Sequence, residues 1–418
     1  MIKRFSCRNF RNVSADAISF SKINLMIGPN NSGKSNFIRA ITFLSEMLNK
    51  SNQGNLRTSF LNALSRNGWE HSLRKGADEF STVDFSWEIM LEEMPLVYNF
   101  SYSVSEDIND CHIMLEQLDN PAKSGKYNEV FNYFRCHDDM IGSGYFSTSI
   151  KKGNPNQRLN FMINSKETII RQMRDLLLHN QALYDNLQVR VDIAKLLSKL
   201  EEYFMGFRVY ACTSFDSERI KKPSEIKTID DVLKEDGSNF ANIFNYYKSQ
   251  DISWKTDFEN KMRELIPELR TADAVIQYDK LYFRLVMGDS QYDLSDVSEG
   301  TIKSLILNII INAPSDNTFN LVAIDEPETN MHPAWQKVVA NWLQCAGTFR
   351  QCFISTHSPD FLDSFTEGFK CGEVSVFVFD NIKGIKKIQY DDIKNELGDW
   401  ELGDLYRTND PALGGWPW

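Results

Sequence analysis

Ile23-Asn24-Leu25-Met26-Ile27-Gly28-Pro29-Asn30-Asn31-Ser32-Gly33-Lys34-Ser35, followed by Asn36-Phe37-Ile38-Arg39-Ala40-Ile41, is the stretch that decides the fold. The apolar run predicts a buried strand, the two glycines a tight turn, and the apolar spacing after Ser35 a helix. Strand, turn and helix N-terminus together aim backbone N–H groups and the positive end of a helix dipole at one point, which suits the phosphates of a nucleotide. Gly28, Asn30, Asn31, Ser32, Gly33, Lys34, Ser35 and Asn36 are therefore the candidate contacts. Lys34 is expected to reach the β- and γ-phosphates, and the Ser35 hydroxyl to hold Mg²⁺.

Three later segments extend this reading. Leu321-Val322-Ala323-Ile324 reads as a buried strand that delivers Asp325 and Glu326 at its C-terminal end, the edge where open α/β sheets bind ligands. Asp325 is the candidate Mg²⁺ ligand, and Glu326 the group that orients and deprotonates an attacking water. Cys352-Phe353-Ile354-Ser355 is a second buried strand, which brings His357 to the same edge, where an imidazole can donate to a γ-phosphate. Ser298-Glu299-Gly300-Thr301 opens a helix, with Ser298 as its cap and Glu299 acidic in the first turn. A chain with a complete phosphate loop has no internal use for another anion site. Ser298, Glu299 and Gly300 are thus expected to face the γ-phosphate of a second copy.

This series resembles an ABC-type ATPase head of the RecF, SMC and OLD-like kind. Residues 1–41 look like that family's strand and phosphate-loop region. Val297 to Thr301 is similar to its signature, Ile324 to Pro333 to its acidic motif and D-loop, and Ser355 to Pro359 to its switch-histidine segment. Lesser matches are Asp236-Gly237-Ser238-Asn239 and Gly403-Asp404-Leu405. The resemblance implies ATP with Mg²⁺, a head-to-tail homodimer closing two ATP molecules, and an α/β fold of mixed sheet with flanking helices and an antiparallel β subdomain. Two departures stand out: the diverged middle presents no glutamine matched to the family's Q-loop, and Glu299 replaces the small residue usual in transport-type signatures. His332 resembles a histidine common after the acidic motif but reads as structural.

The domain expectation is an N-terminal half over 1–104, a loop-rich and compact helical insertion over 105–205, and a C-terminal half over 206–418. Residues 105–165 read as loop-rich with short strand candidates, and the stretch from Glu167 to Phe204 as helical, with a break near Asn180. The acidic residues Asp391, Asp392, Asp399 and Asp404 are expected on a solvated terminal hairpin and tail rather than in a metal nuclease site.

Composition sets the outer limits. The chain has 418 residues, 42% hydrophobic and 25% charged, with a net charge of −11, so the molecule as a whole is not an electrostatic nucleic-acid binder. Lys3, Arg4, Arg8 and Arg11 form a basic start, read first as a solvated edge strand. Seven cysteines without a CxxC pair read as reduced thiols, and no apolar stretch reaches membrane-spanning length. The expectation is a cytoplasmic protein without a membrane partner. Arg174 to His179 fits the R-x4-H pattern of HEPN-type ribonucleases, a pattern short enough to recur by chance.

The insertion is too short for an SMC coiled-coil arm, and the 61 residues after His357 are too few for a TOPRIM domain. What remains looks like the ATPase subunit of bacterial anti-phage systems of the Septu and PARIS kind. In that family ATP state governs a separately encoded nuclease, so an effector from the same operon is the expected partner. The alternative is a RecF- or SMC-like repair ATPase that binds DNA directly.

Overall fold

A computed structural model describes residues 1–48, 58–78, 80–124, 130–137, 143–147, 158–172, 187–227, 232–251, 253–314, 319–380 and 384–413. The chain divides into two compact units. The first comprises 1–20, 30–207 and 381–385, and the second 21–29, 208–380 and 386–418.

The first unit is built on an eight-stranded sheet in the order β2-β1-β4-β5-β6-β7-β8-β9. Its strands are β1 (Ile2–Phe10), β2 (Val13–Ser19), β4 (Thr82–Leu91), β5 (Met94–Ser103), β6 (Ile113–Ser124), β7 (Val130–His137), β8 (Ser143–Ser147) and β9 (Arg158–Met162). Every pairing in it is antiparallel. β4 alternates strictly between buried and half-buried residues, as a sheet with one covered face requires. Helix α1 (Lys34–Leu48) covers that face. Phe43 stacks on Tyr102 at 5.4 Å and packs against Phe85, while the buried Trp87 donates from Nε1 to the Ile41 carbonyl at 2.9 Å. A further short helix, α2 (Ser59–Arg66), buries Phe60 against Tyr102, and α3 (Leu187–Met205) sets Phe204 against Trp87 and Tyr98.

Two expectations change here. Among the described residues of 105–165, four strands, β6 to β9, continue the sheet where a loop-rich segment was expected. Their Asn, Gly and Asp content masks the period-2 signal, and cross-strand partners rather than intrinsic propensity hold them. Similarly, β1 is not an edge strand. It lies between β2 and β4, and Lys3, Arg4 and Arg8 are exposed on it, with Arg4 Nη1 3.8 Å from Glu88 Oε2. The R-x4-H pattern at 174–179 lies outside the described residues.

The second unit centres on a six-stranded sheet in the order β10-β15-β16-β3-β17-β18. These strands are β3 (Ile23–Ile27), β10 (Phe207–Ala211), β15 (Leu321–Asp325), β16 (Cys352–Ser355), β17 (Val374–Asp380) and β18 (Gly384–Ile388). β15, β16, β3 and β17 run parallel, and all of β3 and β16 is buried, so both faces are covered. The covering helices include α4 (Phe240–Gln250), α5 (Trp254–Leu265), α6 (Glu299–Ile311) and α7 (Pro333–Cys345). Phe244 packs edge-on against Trp254, Phe258 and Phe283 in the same core. A small antiparallel sheet, β11 (Ser224–Glu225), β12 (Leu269–Gln277), β13 (Lys280–Met287) and β14 (Ser290–Asp293), completes it. The expected terminal hairpin and tail is instead β18 followed by two helices, α9 (Tyr390–Leu397) and α10 (Leu402–Arg407). α8 (Pro359–Asp363) precedes them in the chain. Ile393, Leu397, Leu402 and Leu405 are buried, which is what makes these segments helical faces rather than strand.

Candidate nucleotide site

In the first unit, α1 begins at Lys34, and Phe37 N donates to Gly33 O at 2.8 Å to close its first turn. Gly33 takes φ +104°, and a Cβ there would lie 3.1 Å from Asn12 Oδ1. Asn12 also donates to the Asn31 carbonyl at 2.9 Å and accepts from Asn36 Nδ2 at 2.8 Å, and Arg11 Nη1 donates to Asn36 Oδ1 at 2.9 Å. The turn between β1 and β2 thereby braces the loop from residues 31 to 36. Lys34 is buried, Ser35 is exposed, and the buried Ser32 hydroxyl has no hydrogen-bond partner. A buried unsatisfied hydroxyl beside a helix N-terminus fits an anionic ligand such as phosphate.

In the second unit, Gly28 takes φ +138° immediately after β3, and a Cβ on it would fall 2.2 Å from the Phe379 carbonyl oxygen. Only glycine fits that backbone against β17. The parallel register aligns Met26 with Ser355 and Ser355 with Asp325, so the start of the phosphate loop, the acidic pair and the histidine segment share one edge of the sheet.

The Ser355 hydroxyl donates to Asp325 Oδ1 and also accepts from Glu326 N at 3.2 Å, which holds the carboxylate and the next backbone together. Glu326 has φ +53°, a left-handed conformation that a side-chain-bearing residue adopts only under external constraint. His357 Nε2 lies 3.5 Å from Glu326 Oε1, and Thr329 Oγ1 donates to Glu326 Oε2 at 3.4 Å. Beneath them Glu328 is buried, and burial pushes its carboxyl above the usual range. Its Oε1 accepts from His357 N at 2.8 Å. The sequence reading missed Glu328 as well as Ser355. An Asp-Glu-Pro-Glu string shows four polar or turn residues, and nothing in it says which carboxylate turns inward.

The helix start at Ser298 is as expected locally: its Oγ accepts from Thr301 N at 3.1 Å. Two contacts join it to the segment after the acidic pair. Asn330 Nδ2 donates to Glu299 Oε2 at 2.8 Å, and Lys303 Nζ donates to the Thr329 carbonyl at 3.0 Å. A Cβ on Gly300 would lie 2.5 Å from Asn330 O, so these backbones meet at glycine distance. His332 caps α7, accepting from Ala334 N at 3.2 Å. Asp391, Asp392 and Asp399 are exposed, and Asp404 pairs with Arg407 at 2.8 Å. Among the described residues no group of His, Cys, Asp and Glu side chains could hold a metal by itself, and no helix is long and apolar enough to cross a membrane.

The fold is that of an ABC-type ATPase head. The chain is similar to a crystal structure of an Smc head bound to the C-terminal winged-helix domain of ScpA, with a TM-score of 0.51 at 13% identity over 94% of this chain and 99% of that one. A Thermotoga maritima SMC head domain aligns with a TM-score of 0.42 at 10% identity, covering 93% of this chain and 99% of that chain. No curated protein matches the chain. Residues 23–363 match the family model described as "AAA domain, putative AbiEii toxin, Type IV TA system", and the chain belongs to that AAA ATPase-domain family.

Proposed function

We propose that the chain is an ATP-binding and Mg²⁺-dependent ATP-hydrolysing subunit of a bacterial anti-phage complex, controlling a separately encoded nuclease. The observation that carries the enzymatic part is the shared sheet edge, where Gly28 begins the phosphate loop and Glu326 faces His357 at 3.5 Å. On the first unit Asn30 to Asn36 would wrap the phosphates, Lys34 would neutralise them and Ser35 would hold Mg²⁺, which would supply charge neutralisation at the γ-phosphate; on the second unit Asp325 is the carboxylate suited to the same ion. Glu326 takes the proton of the attacking water, and His357 donates a hydrogen bond to the γ-phosphate oxygens. Ser298, Glu299 and Gly300 belong to the face that meets ATP on a second copy in a head-to-tail homodimer.

The defence setting is carried over from the motif resemblance to anti-phage ATPase subunits; the family's description, "AAA domain, putative AbiEii toxin, Type IV TA system", names neither phage nor nuclease. A partner protein is in keeping with the head fold, since the similar Smc head is described in complex with a domain of ScpA. Co-purification of the chain from its native operon, followed by mass spectrometry and an ATP-hydrolysis assay, tests both halves. An associated nuclease with ATP turnover supports the proposal, and an isolated chain that binds DNA favours the repair reading instead.

A further inference from the structure

The turn after the acidic pair holds His357 at two places. Glu326 and Glu328 reach opposite ends of the histidine: Glu326 Oε1 lies 3.5 Å from Nε2 of the ring, and Glu328 Oε1 accepts from the backbone N–H at 2.8 Å. The turn is itself fixed. Glu326 stands at φ +53°, its amide donates to the Ser355 carbonyl at 3.1 Å, and Met331 N donates to Glu328 O at 3.0 Å. β16 ends at Ser355, and Thr356 N still donates to Met26 O on β3 at 3.0 Å. The next amide, that of His357, is held by a side chain. The side chains of Glu326 and His357 are about one-third exposed, whereas Glu328 is buried. An apolar residue would fill the space of Glu328 at lower cost, so what the carboxyl adds is an acceptor beneath the histidine.

We propose that Glu328 is a positioning residue for ATP hydrolysis, gripping the His357 amide from beneath while Glu326 faces the ring, so that one turn sets the distance between the base and the histidine. The proposal rests on the hydrolysis reading above and deepens it. An imidazole swings about two side-chain torsions, so its reach is set by where its backbone is held, and a displacement of about 1 Å can cost on the order of 10²-fold in rate. The residues on either side have anchors of their own: Ser358 N donates to Thr356 Oγ1 at 3.1 Å, and the Ser358 hydroxyl donates to Gln336 Oε1. Losing the Glu328 acceptor therefore releases His357 without freeing the segment. The histidine's bond to the γ-phosphate oxygens counts most as charge develops in the transition state, so its misplacement lowers kcat and leaves nucleotide affinity nearly unchanged.

The test compares Glu328→Met, which keeps the volume and removes the acceptor, with Glu328→Gln, which keeps a carbonyl oxygen there. Steady-state phosphate release with Mg-ATP and equilibrium titration with a fluorescent ATP analogue are measured on the full chain. Glu328→Met should lower kcat by about 10- to 100-fold with the analogue's Kd held within about twofold, and Glu328→Gln should recover kcat to within about threefold of wild type. In a His357→Ala background, Glu328→Met should lower kcat by less than about twofold further, because it acts through the histidine. An undiminished further loss in that background overturns the proposal, as does wild-type kcat in Glu328→Met or in His357→Ala. A fall in kcat matched by an equal weakening of analogue binding also overturns it, since damage to the fold moves both. A wild-type chain that releases no phosphate overturns the hydrolysis reading, and the positioning role with it.

Discussion

His357 Nε2 stands 3.5 Å from Glu326 Oε1, and the two residues follow neighbouring parallel strands, β16 and β15, whose register pairs Ser355 with Asp325. The imidazole therefore stands beside the carboxylate proposed to accept the proton of the attacking water. Glu326→Gln keeps the shape of the side chain but removes its basicity. ATP hydrolysis, followed as phosphate release, should fall by about 10²- to 10⁴-fold with nucleotide binding retained, and the ATP-loaded variant should accumulate as a dimer on sizing. Normal turnover in this variant would remove Glu326 from the reaction.

Lys34 is buried at the start of α1. Wild-type chain with saturating Mg-ATP should gain stability by mass action, about 2.7 kcal/mol at a hundredfold excess over Kd. Lys34→Ala should show no ATP-dependent rise in melting temperature, measured by thermal unfolding with and without nucleotide.

Gly28→Ala confronts a Cβ with the Phe379 carbonyl at 2.2 Å and a φ of +138°. The two penalties fall on the same residue, so a loss of about 3 kcal/mol or more is expected, read as a lowered denaturation midpoint or as failure to accumulate folded protein.

Glu299 accepts from Asn330 across the junction between the signature helix and the segment after the acidic pair. Glu299→Ala should leave monomer stability within about 1 kcal/mol, since the contact is exposed, yet weaken the ATP-dependent dimer formed in a Glu326→Gln background. Glu299→Gln preserves the acceptor and should restore dimerisation. Sedimentation of the double variants separates the two outcomes.

Glu116 is fully buried, accepting from the Tyr98 hydroxyl and, at 2.9 Å, from Ile169 N, and burial pushes its carboxyl up to about 7. A folded-state value above the ordinary one means that its contribution is fully present below about pH 4.5 and is lost as pH rises through about 7. Relative to Glu116→Gln, wild type should lose of order 2–3 kcal/mol across that window. Melting temperatures of both chains from pH 4.5 to 8 should converge at the acid end and separate at the alkaline end.

The sequence by itself determined the local units: strand, loop and helix over residues 23–48, the strand ending at Asp325, the strand ending before His357, and the helix capped by Ser298. Each is specified locally by apolar period, glycine placement or a capping hydroxyl, so no distant partner is needed to read it. Tertiary structure alone decided the strand order that puts Gly28, Asp325 and Ser355 on one edge, because β3 has to pair with β16, where Met26 and Ser355 are more than 300 positions apart. It also decided that Ile113–Ser124, Val130–His137, Ser143–Ser147 and Arg158–Met162 become strands, since their hydrogen-bond partners lie on neighbouring strands. Glu328 and Asn330 belong to the same class: a buried carboxylate and a left-handed asparagine carry no local signal, and each acquires its role only from the backbone that the fold brings against it.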